Sequence, residues 1–234
     1  MSIIEQLLRI IAPHHCLGCN KEGYILCAAC ARGLPVPAAL CYRCGAGADG
    51  NLCLPCRKVA GVAGVLSVTS YSGLAKEVVH QLKFERTSGA AADIAHALAA
   101  RFALSEYGSI VTYVPTASVR IRTRGYDQAA LIARATAREV GLPFYSILGR
   151  SSNNRQVGKD RAVRKQQMQG AFYARKPRTI ANRDVLLVDD VITTGSTCEA
   201  AAAQLIKAGA RHVTLLTFAL APRPGTRQNK KPAT

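Results

Sequence analysis

The stretch Val185-Leu186-Leu187-Val188-Asp189-Asp190-Val191-Ile192-Thr193-Thr194-Gly195-Ser196-Thr197 decides how this chain folds. Its first four residues are uniformly apolar, as in a strand buried on both faces of a parallel sheet. The strand delivers Asp189 and Asp190 at its C-terminal edge, where open α/β sheets bind their ligands. A short hydroxyl-rich loop follows, and a helix is expected to start at about Ser196. Backbone N–H groups at a helix N-terminus, helped by the helix dipole, hold anions. Thr193, Thr194, Ser196 and Thr197 add hydroxyl donors, and Gly195 lets the backbone approach the anion. Carboxylates would repel a bare phosphate. They suit a ligand with both a phosphate and vicinal hydroxyls, whose O–H groups donate to Asp189 and Asp190. A ribose 5-phosphate has that chemistry. A simple helix-starting turn would need only one capping residue, and a Walker-type loop would need Gly-Lys-Thr, which is absent here.

Outward from this segment, strands and helices alternate. Strands are expected at 65–71, 110–114, 144–148, 170–173, 184–188 and 213–220, and helices near 73–83, 89–104, 128–140 and 196–208. The alternation predicts an α/β domain with a largely parallel sheet flanked by helices. Residues 2–11 carry Ile3, Ile4, Leu7, Leu8, Ile10 and Ile11 at helical spacing, and Pro13 ends that helix. Ala60-Gly61-Val62-Ala63-Gly64 reads as a joint. Residues 222–234 hold four cations and no acid after Pro222, the pattern of a disordered tail.

Upstream of the joint lies a second sharp pattern. Eight of the nine cysteines form four CxxC pairs: Cys16/Cys19, Cys27/Cys30, Cys41/Cys44 and Cys53/Cys56. A secreted disulfide scaffold would spread its cysteines along the chain. A CxxC turn aims both sulfurs at one cation, and two turns complete a tetrahedral thiolate site. Eight thiolates fit two structural Zn²⁺ ions, with iron–sulfur ligation as the competing chemistry and a redox pair as the reading of any single CxxC. Sequential pairing is simplest, and an interleaved cross-brace is the alternative. His14 and His15 are surplus to the thiols. Cys198 stands apart, in the first turn of the last expected helix. There it either packs on the sheet or has its pKa lowered by the helix N-terminus.

Composition narrows the function. Apolar residues make up 49% and charged residues 19%, a globular balance that excludes a disordered chain. Apolar runs break well short of a membrane span, and the N-terminus lacks the pattern of a secretory signal, so a cytoplasmic protein is expected. With 31 basic and 14 acidic residues the net charge is +17, which attracts polyanions. Ten cations against one acid, Asp160, fall between Arg150 and Arg183. Within that run Arg155, Lys159, Arg161, Arg164 and Lys165 are the nucleic-acid candidates, against the alternative of a solvated charged face. With so few aromatics, contact would be mainly to backbone phosphate.

The thirteen-residue stretch resembles the phosphoribosyl pyrophosphate (PRPP) signature of type I phosphoribosyltransferases. The whole chain from residue 1 to about 220 resembles the ComF/GntX family. The carrying elements are the CxxC module, Leu82-Lys83-Phe84, Arg124-Gly125-Tyr126-Asp127-Gln128, the segment from Gln156-Val157-Gly158 through Arg161 to Gly170-Ala171-Phe172, and the PRPP loop. The resemblance implies an N-terminal helix and zinc module over 1–60, a phosphoribosyltransferase-like domain over 61–221 and a basic tail over 222–234. It implies that Asp189 and Asp190 hold ribose hydroxyls directly or through Mg²⁺, and that residues 193–197 take the 5-phosphate. It places 115–120 as the pyrophosphate loop, with Lys83, Arg120, Arg122 and Arg124 as its cationic partners. Thr193 stands where some purine enzymes of the family carry a carboxylate, so base chemistry of that kind is not expected. The resemblance further implies a role in natural competence, the uptake of single-stranded DNA beside a helicase-like ATPase, with an active transferase of unnamed acceptor or a non-catalytic PRPP sensor as alternatives. It also allows a location at the inner face of the membrane through partners.

Overall fold

A computed structural model of the chain describes residues 14–84, 88–151 and 170–222. The helix expected at 2–11, most of the tail, and Arg155, Lys159, Arg161, Arg164 and Lys165 lie outside these residues. Two cysteine-bearing segments come first, with short helices α1 (Ala28–Arg32) and α2 (Leu54–Ala60). They are followed by β1 (Gly64–Ser70), α3 (Gly73–Phe84), α4 (Ser88–Arg101), β2 (Ile110–Tyr113), α5 (Ser118–Arg124) and α6 (Gln128–Glu139). Next come β3 (Leu148–Arg150), β4 (Phe172–Ala174), α7 (Pro177–Ile180), β5 (Asp184–Ile192), α8 (Ser196–Lys207) and β6 (His212–Leu220).

Four strands form one parallel sheet in the order β1-β6-β5-β2. The central pair is apolar on both faces, so it must be covered on both. On one face Val185, Leu187, Val213 and Leu215 pack with Ala201 and Leu205 of α8. On the other, Leu186, Val188, Leu216 and Phe218 pack with α3, α4 and α6. Alanines on α4 (Ala90, Ala91, Ala97) and α6 (Ala133, Ala137) are buried in that layer, and small side chains let helix axes approach closely. A separate antiparallel pair, β3 with β4, lies against the α8 face through Leu148 and Phe172.

The cysteine segments wrap the exposed edge of the sheet. Pro35 presents its carbonyl to the Thr69 hydroxyl at 2.9 Å and to the Ser70 amide at 3.4 Å, both on edge strand β1. The first segment feeds Ile25, Leu26 and Leu34 into the α3/α4 layer. The second feeds Cys41, Tyr42 and Leu52 into the α8 layer. The two segments thus straddle β1, one on each face of the sheet.

The parallel α/β architecture is as the sequence pattern predicts, with three local differences. The strand expected to end at Val188 continues to Ile192, because β6 offers it partners as far as Leu220. The segment expected as a strand over 144–148 makes a single parallel bridge, Phe144 to Val111, before β3 begins at Leu148. The expected pyrophosphate loop shrinks to 114–117, because α5 already starts at Ser118.

Candidate functional site

Each set of cysteines closes on itself. The sulfurs of Cys16, Cys19, Cys27 and Cys30 lie within 4.8 Å of one another, as do those of Cys41, Cys44, Cys53 and Cys56. Pairing is therefore sequential, and the cross-brace is excluded. The donor chemistry fits a tetrahedral thiolate-bound cation. In the first set burial is outweighed by backbone N–H groups of Cys27, Gly18 and Cys19, which bring the Cys16 thiol down to about 6. Hydrogen bonding to Cys19 and Cys27 pushes Cys30 up to about 12. Four thiols this close do not all ionise unless a cation lies among them. Gly18 is required at the first turn: a Cβ there would sit 2.8 Å from the Cys30 sulfur and 3.0 Å from Leu74.

The acidic pair sits inside β5, not beyond its end, so its side chains alternate across the sheet. Asp189 faces α8, where the Cys198 thiol donates to Oδ2 at 3.3 Å. Asp190 faces α3, where its Oδ2 pairs with Lys83 Nζ at 2.6 Å. Each carboxylate also accepts from the next amide, Asp190 N and Val191 N, both at 2.9 Å. Burial, with the neighbouring charge of Asp190, pushes the Asp189 carboxyl well above the usual range. Cys198 is a correction to the idea of a thiol activated by the helix N-terminus. It is buried, and burial and Asp189 drive its pKa up.

Beyond β5 the chain turns through exposed Thr193 and Thr194 to Gly195, which caps α8 with φ +77°. The first helical bond runs from Glu199 N to Gly195 O at 2.9 Å, and Thr194 Oγ1 lies 3.1 Å from Ser196 Oγ. The amides of the first helical turn therefore open onto a hydroxyl-lined turn.

Lys83, the partner of Asp190, lines a cleft of about 220 Å³ together with Phe84, Val119, Arg120, Thr123 and Arg124. Arg120 and Arg124 are four apart on α5 and share its cleft face, whereas Arg122 points elsewhere and is not among the lining residues. The Arg124 guanidinium lies 5.2 Å from the Phe84 ring centre, a cation–π contact, and the Tyr126 hydroxyl donates to the Leu82 carbonyl. Two short sequence elements forty residues apart thus build one wall.

Two residues not singled out for the site hold it together. Asp127 accepts from Thr116 N at 2.8 Å and Thr116 Oγ1 at 3.0 Å while capping α6 through Ala129 N at 3.1 Å. Arg150 on β3 donates to the Pro115 carbonyl at 3.2 Å. Asp127 at a helix start was legible as a cap. Arg150 was submerged in the basic run.

The parallel sheet, the acidic strand end and the hydroxyl loop define a protein with a phosphoribosyl transferase domain, and the family model of that description matches residues 94–234. The DNA utilization protein YhgH of Salmonella typhi is 30% identical over 200 residues, covering 80% of this chain and 87% of the relative. The competence protein ComFC of Bacillus subtilis is 26% identical over 149 residues, covering 61% of this chain and 58% of that protein. A solved glutamine PRPP amidotransferase from B. subtilis aligns with 56% of this chain and 26% of its own, at a TM-score of 0.41 and 19% identity. The chain belongs to the ComF/GntX family. Among the described residues no helix is long and apolar enough to cross a membrane.

Proposed function

We propose that this chain binds PRPP with Mg²⁺ at the junction of β5 and α8, and that its N-terminal cysteine module holds two structural Zn²⁺ ions. The carrying observation is the run from the Asp189/Asp190 pair into the Gly195-capped start of α8, with Lys83 poised on Asp190. In this reading the ribose hydroxyls donate to Asp189 and Asp190, and the 5-phosphate takes the amides and hydroxyls of 193–197. The pyrophosphate faces Lys83, Arg120 and Arg124. Mg²⁺, held near the two carboxylates, would offset the charge of the pyrophosphate. Each Zn²⁺ would tie two turns together. An acceptor would attack ribose C1 from the side opposite the pyrophosphate, forming its bond to C1 as the C1–O bond breaks and pyrophosphate leaves toward Lys83, Arg120 and Arg124. A PRPP sensor would bind without that release.

The same reading assigns the protein to competence, as a cytoplasmic component that handles single-stranded DNA beside a helicase-like ATPase at the inner membrane face. The net charge of +17 and the names of the YhgH and ComFC relatives support it.

Calorimetric titration of the zinc-replete full chain with PRPP and Mg²⁺ tests the site. Wild type is expected to bind. The Asp189→Asn/Asp190→Asn variant, with an unchanged circular dichroism spectrum, is expected to lose at least a hundredfold in affinity, about 2.7 kcal/mol. Retained binding by the folded variant refutes the residue assignment, and silence from wild type refutes PRPP as the ligand.

A further inference from the structure

The two residues between Cys41 and Cys44 reach across the molecule to the phosphate loop. Tyr42 is only 5% exposed, and its hydroxyl donates to Glu199 Oε1 at 2.6 Å. Arg43 Nη1 pairs with the other oxygen of the same carboxylate at 3.1 Å. The Tyr42 ring lies directly on Gly195, where a Cβ would come within 2.2 Å of a ring carbon. One metal-site turn therefore touches the loop twice: on the backbone of its cap residue and on the first turn of the helix behind it.

We propose that the second cysteine cluster positions the 193–197 loop through Tyr42 and Arg43, so that metal in that cluster and phosphate on that loop reinforce each other. The turn carrying Tyr42 is built by backbone bonds from Gly45 N to Cys41 O at 2.9 Å and from Tyr42 N to Asn51 O at 2.9 Å. A cation joining the Cys41/Cys44 turn to Cys53 and Cys56 would fix its tip, and hence the ring and guanidinium. Electrostatics adds a second effect. Glu199 sits in the first turn of α8, where its charge would oppose an incoming phosphate. Arg43 and the Tyr42 hydroxyl occupy both of its oxygens and direct that charge away from the loop. The first cluster makes different contacts: Gly18 against Leu74, and the Ile25 and Leu26 amides on Asp93 at 2.7 and 2.9 Å. The coupling therefore belongs to the second cluster alone.

The coupling to phosphate rests on the PRPP reading of the loop, so its test carries a readout independent of PRPP. Amide hydrogen exchange over 193–199 is measured on the full chain for wild type, Tyr42→Phe, Tyr42→Ala, Cys19→Ser and Cys44→Ser, with zinc content determined for each. Tyr42→Ala and Cys44→Ser are expected to speed exchange in this segment about tenfold, with Tyr42→Phe intermediate, while Cys19→Ser leaves it unchanged. PRPP affinity is expected to fall about tenfold in Tyr42→Ala at full zinc content. Unchanged exchange in Tyr42→Ala, or equal acceleration by Cys19→Ser and Cys44→Ser, overturns the coupling. Faster exchange in a protein whose wild type ignores PRPP would uphold the positioning role and reject the PRPP reading instead.

Discussion

Asp184 opens β5 at the end of the sheet remote from the loop. It pairs with Arg211 through both carboxylate oxygens and with His212 Nδ1 at 2.9 Å. The Arg211 guanidinium holds the Asp184 carboxyl down at about 2. A carboxyl depressed in the folded state stabilises fully above its unfolded value near 4, and loses that contribution as pH falls toward 2. The melting temperature of wild type should therefore exceed that of Asp184→Asn at pH 7, with the gap closing between about pH 4 and pH 2. A gap independent of pH would mean that the carboxylate contributes no more than its shape. Asp189, Asp190 and residues 193–197 could be singled out because their chemistry is contiguous. The Tyr42–Glu199 bond joins residues 157 positions apart, and nothing in either neighbourhood announces the other. Lys83 was foreseen as a phosphate partner. Its engagement with Asp190 follows from the pleat, which the sequence shows only once the strand is known to continue.

Helix α6 shows how one side chain organises an element and its neighbour. Asp127 caps the helix and also anchors Thr116 in the turn after β2. Replacing it with alanine removes the cap and strands the Thr116 donors. Asp127→Ala should cost about 2–3 kcal/mol in urea unfolding, of which about 1 is the cap. A loss below about 1 kcal/mol would mean that Thr116 finds water at no cost. Elements with apolar periodicity, such as α6 and β5, were legible to within a few residues. Helix α5 was not, because it buries none of its residues and so leaves no apolar stripe to read. The 144–148 segment looks strand-like in composition, yet Val111 offers it only one bridge before the chain leaves for β3.

At the scale of the whole molecule, charge is the dominant property. With a net +17, binding of a single-stranded oligonucleotide should weaken steeply with salt. If Arg155, Lys159, Arg161, Arg164 and Lys165 each neutralise a phosphate, replacing all five with Gln should flatten the log–log salt slope by about 3.5. An unchanged slope would move the contact elsewhere on the protein. The α/β class and the cysteine module were legible because each rests on local spacing. The way the two clusters straddle β1 was not, since it depends on which strand ends up at the edge. That strand order also shapes the birth of the protein. β1 is made early, but among the described strands its one partner is β6, Gly64 meeting Thr214 and Ser70 meeting Leu220. On the ribosome β1 must therefore wait for some 150 further residues before its neighbour emerges, and long-range parallel pairing of this kind is slow to form. Pro35 already lies on the opposite edge of β1, so the cysteine module shields half of a nascent strand that would otherwise present two bare edges.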